Sequence, residues 1–202
     1  MVAGILSFLK PFKTVPGHYQ RQVLLANILA LAFSLFTLSV AVIFHYLFAW
    51  SNLLKFIQVV AVLFLLVPVI NRWVSYTLGR VLLCLLPVAF TVIGSIYFKL
   101  ESRLLTNILY FDTRFILMAG IILPGIVFRL EERRQLLLCL GSTSVLLLFY
   151  DPLHELFGVG YFQAGLRDPF YTYIVYIINI SYLVLLFGIL LLRSELERSE
   201  RH

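Results

Sequence analysis

The chain has 202 residues, of which 61% are hydrophobic and 13% charged, and its mean hydropathy is +0.98. Soluble domains are about half apolar and a quarter charged. This composition therefore excludes a soluble cytosolic enzyme, a disordered segment and a disulfide-stapled secreted domain, and it leaves an integral membrane protein. The net charge is +6, from 16 Lys and Arg against 10 Asp and Glu. In so apolar a chain that balance points to basic membrane-flanking loops and anionic lipid rather than to nucleic acid.

The first nine residues are too short and too soon interrupted, by Lys10, Pro11 and Lys13, to form a cleaved signal peptide. Residues 1–22 read as an amphipathic cytoplasmic lead-in on the membrane surface. A bilayer span needs about 20 mostly apolar residues. Six runs meet or approach that length: Val23 to Ala49, Leu53 to Ile70, Val81 to Phe98, Thr113 to Phe128, Gln135 to Tyr150 and Tyr171 to Leu192. None alternates apolar with polar residues as a barrel strand does. The expected fold is an all-α integral membrane bundle of six transmembrane helices over residues 23–192, followed at 193–202 by the start of a cytoplasmic signalling helix.

Orientation follows from Lys and Arg. With the amino terminus in the cytoplasm, that side carries Lys10, Lys13, Arg21, Arg72, Arg80, Arg129, Arg133, Arg134, Arg193, Arg198 and Arg201. The opposite side carries Lys55, Lys99, Arg103, Arg114 and Arg167. The expectation is both termini in the cytoplasm and a multi-pass protein of the cell's inner membrane.

Chemistry is sparse at membrane depth. Cys84 and Cys139 lie in apolar runs and read as small hydrophobes. Ser142 and Ser144 have no histidine on the last helix to activate them, so Gly141-Ser142-Thr143-Ser144 reads as a packing segment with hydroxyls on i−4 carbonyls. Glu131 and Glu132 suit the start of the fifth helix, at the positive end of its dipole. The four histidines show no metal-ligand spacing, and no metal or cofactor is expected. Thr91, Ser95, Gln58 and Asn179 read as interhelical polar contacts.

The outer rim is richer. Asp112 is expected to cap the fourth helix, Pro152 to stop the fifth, and Leu153 to Phe157 to form a short interfacial helix within a long loop ending at Phe170. The candidate ligand-binding residues are His45, Arg103, Asp112, Arg114, Asp151, His154, Glu155 and Tyr171. Together they predict a shallow pocket, polar at its mouth and apolar below.

The last helix carries no stop signal. Ile189, Leu192 and Leu196 follow a/d spacing among alternating charges, which predicts entry into a parallel coiled coil, a homodimer, and a soluble output domain beyond it.

Three segments carry a resemblance: His18-Tyr19-Gln20-Arg21-Gln22 before the first helix; Phe128-Arg129-Leu130-Glu131-Glu132-Arg133-Arg134 with Phe149-Tyr150-Asp151-Pro152 after it; and the exit Leu192-Arg193-Ser194-Glu195-Leu196-Glu197-Arg198-Ser199-Glu200. On these the chain resembles the six-helix membrane domain of bacterial class III adenylate cyclases and of related sensor histidine kinases. The resemblance implies a dimeric receptor or anchor that binds a small or lipophilic ligand and sets the activity of a cytoplasmic cyclase or kinase domain. That domain and its metal-binding aspartates are not in this chain, so no nucleotide site can be placed on it. A small transporter or channel is the alternative, which polar vestibules joined through Gln58, Thr91, Asn107 or Asn179 would favour.

Overall fold

A computed structural model describes residues 15–48, 52–101 and 106–199. Most of the lead-in, Trp50, Arg103 and residues 200–202 therefore lie outside the described residues. The described chain is helical, without strands: α1 (Gly17–Phe48), α2 (Asn52–Trp73), α3 (Tyr76–Glu101), α4 (Ile108–Gly120), α5 (Ile122–Val127), α6 (Arg133–Leu148), α7 (Tyr150–Leu156) and α8 (Tyr171–Ser199). Five apolar segments are long enough to cross a bilayer, with α4 and α5 together forming one of them; α6 and α7, bent by 60°, would add a sixth. The protein is a multi-pass helical membrane protein.

The helices overrun the apolar runs at most ends, because a helix continues into flanking polar residues until its hydrogen-bond ladder is broken. Two breaks have a proline behind them. Pro124 has no N–H for the Gly120 carbonyl, and the fourth run divides there into α4 and α5. Pro152 has none for the Leu148 carbonyl, and the chain bends at Phe149. Pro152 thus stops the fifth run's helix at Leu148, as expected, although the chain then enters a new short helix at Tyr150 rather than at Leu153. The expectation for Asp112 is also corrected. α4 begins at Ile108 after Asn107, so Asp112 lies inside it, and its Oδ1 accepts from Thr113 N at 2.5 Å.

The chain divides into two compact units. The first holds α1, α2, α3 as far as Leu86, and Ile126–Phe128. Ala26 and Ala30, one turn apart on α1, are fully buried, and small residues allow close approach of helix backbones. Asn71 Nδ2 donates to Asn27 Oδ1 at 2.7 Å, and Ser34 Oγ to the Ala61 carbonyl at 2.9 Å, tying α1 to α2. Arg80 is fully buried. Its Nη1 donates to the Val127 carbonyl at 3.0 Å and its Nε to the Tyr76 carbonyl at 3.2 Å, and its guanidinium packs on the rings of Tyr19, Tyr76 and Phe128.

The second unit holds the remainder, in which α4 packs against both α6 and α8. Leu117, Ile121, Cys139, Leu147, Ile178 and Tyr182 are among its buried side chains. The hydroxyls of Ser142, Thr143 and Ser144 donate to the carbonyls four residues back, as the sequence predicts, and Ser144 also meets Tyr182 OH at 2.6 Å. Gly125 lies directly against Ile189 Cγ2 of α8, leaving no room for a Cβ.

Candidate functional site

The polar residues of the second unit gather at the end where α3 finishes and α4, α7 and α8 begin. α3, α4 and α7 each contribute side chains spaced i, i+3 or i+4, which puts them on one face. α3 brings Ser95 and Lys99; α4 brings Tyr110, Thr113 and Arg114; α7 brings Tyr150, Asp151 and His154; α8 brings Tyr171. The 157–170 connection closes over them. Gly158, at φ +73°, ends α7 with Gly158 N bonded to the Glu155 carbonyl and Val159 N to the His154 carbonyl. This left-handed ending needs a residue without Cβ. It delivers the Val159 carbonyl to Tyr110 OH at 2.8 Å.

One half of the site is centred on Ser95. Its Oγ lies 3.1 Å from His154 Nε2, and 3.0 Å from both Lys99 Nζ and Tyr150 OH. His154 Nδ1 sits 2.7 Å from the Tyr150 carbonyl. A carbonyl only accepts, so in the neutral ring the proton is on Nδ1 and Nε2 accepts from Ser95. Lys99 Nζ donates to Ser95 Oγ and, at 2.8 Å, to Tyr150 OH, and it stands 3.8 Å from the centre of the Tyr110 ring. A serine hydroxyl against a neutral imidazole is the arrangement of an activated nucleophile. Here, however, Oγ is also met by Lys99 Nζ, by Tyr150 OH and, at 3.3 Å, by Thr113 Oγ1, so it has no open side among the described residues from which to attack. The arrangement is a satisfied polar knot.

The other half is centred on Arg114, which is 1% exposed. Its Nη2 forms a salt bridge with Asp151 Oδ1 and donates to Tyr171 OH at 3.1 Å, while Tyr171 OH donates to Asp151 Oδ1 at 2.6 Å. The guanidinium also lies 4.3 Å from the centre of the Tyr150 ring. Tyr171 stacks on Tyr161 at 3.6 Å, with 8° between the rings, and Tyr110 meets both edge-on. Tyr161 OH donates to Asn107 Oδ1 at 3.1 Å, and Asn107 Nδ2 to Asp168 Oδ2 at 3.2 Å. Asp168 Oδ1 in turn accepts from Phe170 N at 2.9 Å, at the start of α8. The first turn of α8 is thereby anchored to α4 and α7.

Of the residues singled out from sequence, the structure brings together Arg114, Asp151, His154 and Tyr171. Asp112 is exposed, its carboxylate bonded to Thr113, and Glu155 is exposed on α7. His45 belongs to the first unit, exposed on α1 with its ring 6.0 Å from Tyr46. Arg103 lies outside the described residues. The candidates chosen from sequence leave out Lys99, Tyr110, Tyr150 and Tyr161, and Ser95 has only a packing role there. The signal is the repeated polar i, i+4 spacing at one end of three separate helices. Among the described residues no three His, Cys, Asp or Glu side chains are grouped to hold a metal.

At the other end of α8 the contacts are fewer. Leu130 N donates to Glu197 Oε1 at 2.7 Å, and Glu197 pairs with Arg193 one turn back. Leu130, Glu131, Arg133, Ser194, Glu197 and Arg198 line a cavity of about 300 Å³ there. Of the three residues assigned to signal transmission, Ile189 packs on Gly125, and Leu192 and Leu196 are exposed. Comparison of the chain with family models, curated proteins and solved structures finds no match.

Proposed function

We propose that this chain is a membrane sensory or anchoring module with six spans and both termini in the cytoplasm. In this reading it resides in a bacterial inner membrane as a homodimer. It takes up a small or lipophilic ligand at its tyrosine-rich end and passes its state through α8 to a cyclase or kinase output domain. One observation carries the reading: α8 is a single helix of 29 residues held by polar contacts at both ends. Tyr171, its first residue, is bound into the Arg114–Asp151 pair. Glu197, near its last, receives the amide of Leu130 in the turn before α6. A helix so held would have to exchange contacts at both ends in order to shift, as a two-state element does. A ligand acts on such an element through different affinities for its two states.

The test is helical phase. A dimerisation-dependent cyclase reporter is fused after His202, and one to four residues are inserted after Leu192. Each inserted residue rotates the downstream helix by about 100°. The expected reporter output rises and falls with a period near 3.6 insertions. Output that declines smoothly, or does not change, refutes transmission through α8.

A further inference from the structure

The polar cluster holds more buried positive than negative charge. Lys99 is 3% and Arg114 1% exposed, while among the described residues the one carboxylate bound to either is Asp151, whose side chain is 30% exposed. Among the described residues Lys99 has no ion pair; its ammonium is held by two hydroxyls and a tyrosine ring. Asp112 is turned to Thr113 of its own helix. Arg114 Nε is buried and has no hydrogen-bond acceptor among the described residues. An unpartnered charged donor at such depth is costly, and an excess buried cation calls for an anion.

We infer that the cluster is a carboxylate-binding site in which Arg114 is the principal cation and Lys99 the second. A guanidinium takes a carboxylate through two parallel N–H bonds along one edge. On Arg114 that edge is Nε with Nη2, and only Nη2 is engaged, by Asp151 and Tyr171. A carboxylate arriving at Nε shares or takes over Nη2, and so competes with Asp151 and with the hydroxyl of Tyr171. Partly buried Leu109, Phe111, Leu166 and Val175 pack around the tyrosines and offer apolar surface beside the charge. The carboxylate belongs either to a lipophilic acid or to a small soluble one. This names the ligand class of the sensory reading and rests on that reading for its consequence at α8, but binding itself is measured without any output domain.

The full chain is placed in phosphatidylcholine nanodiscs. Equilibrium binding of dodecanoate, dodecanol, dodecyltrimethylammonium and acetate is measured against empty discs. A charge-assisted hydrogen bond corresponds to roughly a ten- to hundredfold difference in affinity. Dodecanoate is therefore expected to bind at least about tenfold more tightly than dodecanol or the ammonium amphiphile. Saturable acetate binding with dodecanoate excluded instead identifies the small acid and also supports the site. Joint replacement Arg114→Gln with Asp151→Asn, which leaves no lone buried charge in that pair, abolishes the preference. Lys99→Gln, which keeps the Arg114–Asp151 pair, weakens carboxylate binding about tenfold, and Glu195→Gln, exposed near the opposite end of α8, leaves it unchanged. Equal binding of dodecanoate and dodecanol without acetate binding, or a preference that survives the double replacement, overturns the assignment. Carboxylate binding with a flat insertion series would refute the sensory reading alone; the reverse pattern would refute this assignment alone.

Discussion

Replacing Tyr171 by Phe isolates the hydroxyl that ties α8 to the charged pair. The ring keeps its stack on Tyr161 at 3.6 Å, so almost no packing is lost. What disappears is one bond accepted from Arg114 Nη2 at 3.1 Å and one donated to Asp151 Oδ1 at 2.6 Å. Hydrogen bonds between membrane helices average about 0.6 kcal/mol, but bonds to charged groups contribute about 1.5–3 kcal/mol. Both partners are charged and Arg114 is buried, so the charged range applies. Because the two bonds share one oxygen and one ion pair, their sum is not additive, and the expected loss is about 2 kcal/mol. The assay is reversible unfolding in mixed micelles with a rising fraction of denaturing detergent. Asp151→Asn, which leaves Arg114 without its counter-charge, should cost about 3–5 kcal/mol in the same assay. The double variant should fall short of the sum by about 1 kcal/mol, since the hydroxyl and the carboxylate share a bond. A Tyr171→Phe cost below about 0.5 kcal/mol, or costs that add within error, would show that the hydroxyl does not anchor α8.

Two further outcomes are expected. Glu197→Ala removes the acceptor of the Leu130 amide at the far end of α8, so hydrogen exchange at that amide should accelerate about tenfold, equivalent to about 1.4 kcal/mol; an unchanged rate means that the turn holds its amide without α8. Gly125→Ala drives a methyl into Ile189 and should destabilise by about 1–3 kcal/mol through overpacking, a loss that adding Ile189→Ala relieves; lack of relief in the double variant would place the strain elsewhere.

The helical membrane architecture is legible in the sequence because span length and apolar runs are properties of consecutive residues. The end points are not. A hydropathy run stops at its first charge, but a helix does not, and so α3 extends to Glu101 and carries Lys99 into the cluster. Lys99 reads as a loop charge for the same reason. The tyrosines mislead in a different way. At a membrane boundary they are expected to face lipid headgroups. Tyr173 does remain exposed, whereas Tyr110, Tyr150, Tyr161 and Tyr171 are buried and hydrogen-bonded. Which tyrosines turn inward depends on partners about 50 positions away, such as Tyr150 with Ser95 and Tyr161 with Asn107. Local periodicity carries no record of such pairs. Arg114, Asp151, His154 and Tyr171 stand out because ionisable or aromatic residues beside apolar helices are few. The helix break before Pro124 is foreseeable from chemistry, but the place of Asp112 is not, since α4 begins five residues before the apolar run.

Arg80 has a consequence for experiments on membrane topology. Its guanidinium closes the Val127 carbonyl at the end of α5 from within a cage of three aromatic rings. In the proposed topology the residue is thus both a vote in the charge asymmetry that would orient the chain during insertion and a structural bolt in the finished protein. Neutralising it would unsettle the fold and the ballot together, and a flipped or degraded product could not be traced to either cause. Arg133 and Arg134, both exposed at the start of α6, can be moved without that entanglement. Charge-relocation variants should therefore be built on this pair, with Arg80 left in place.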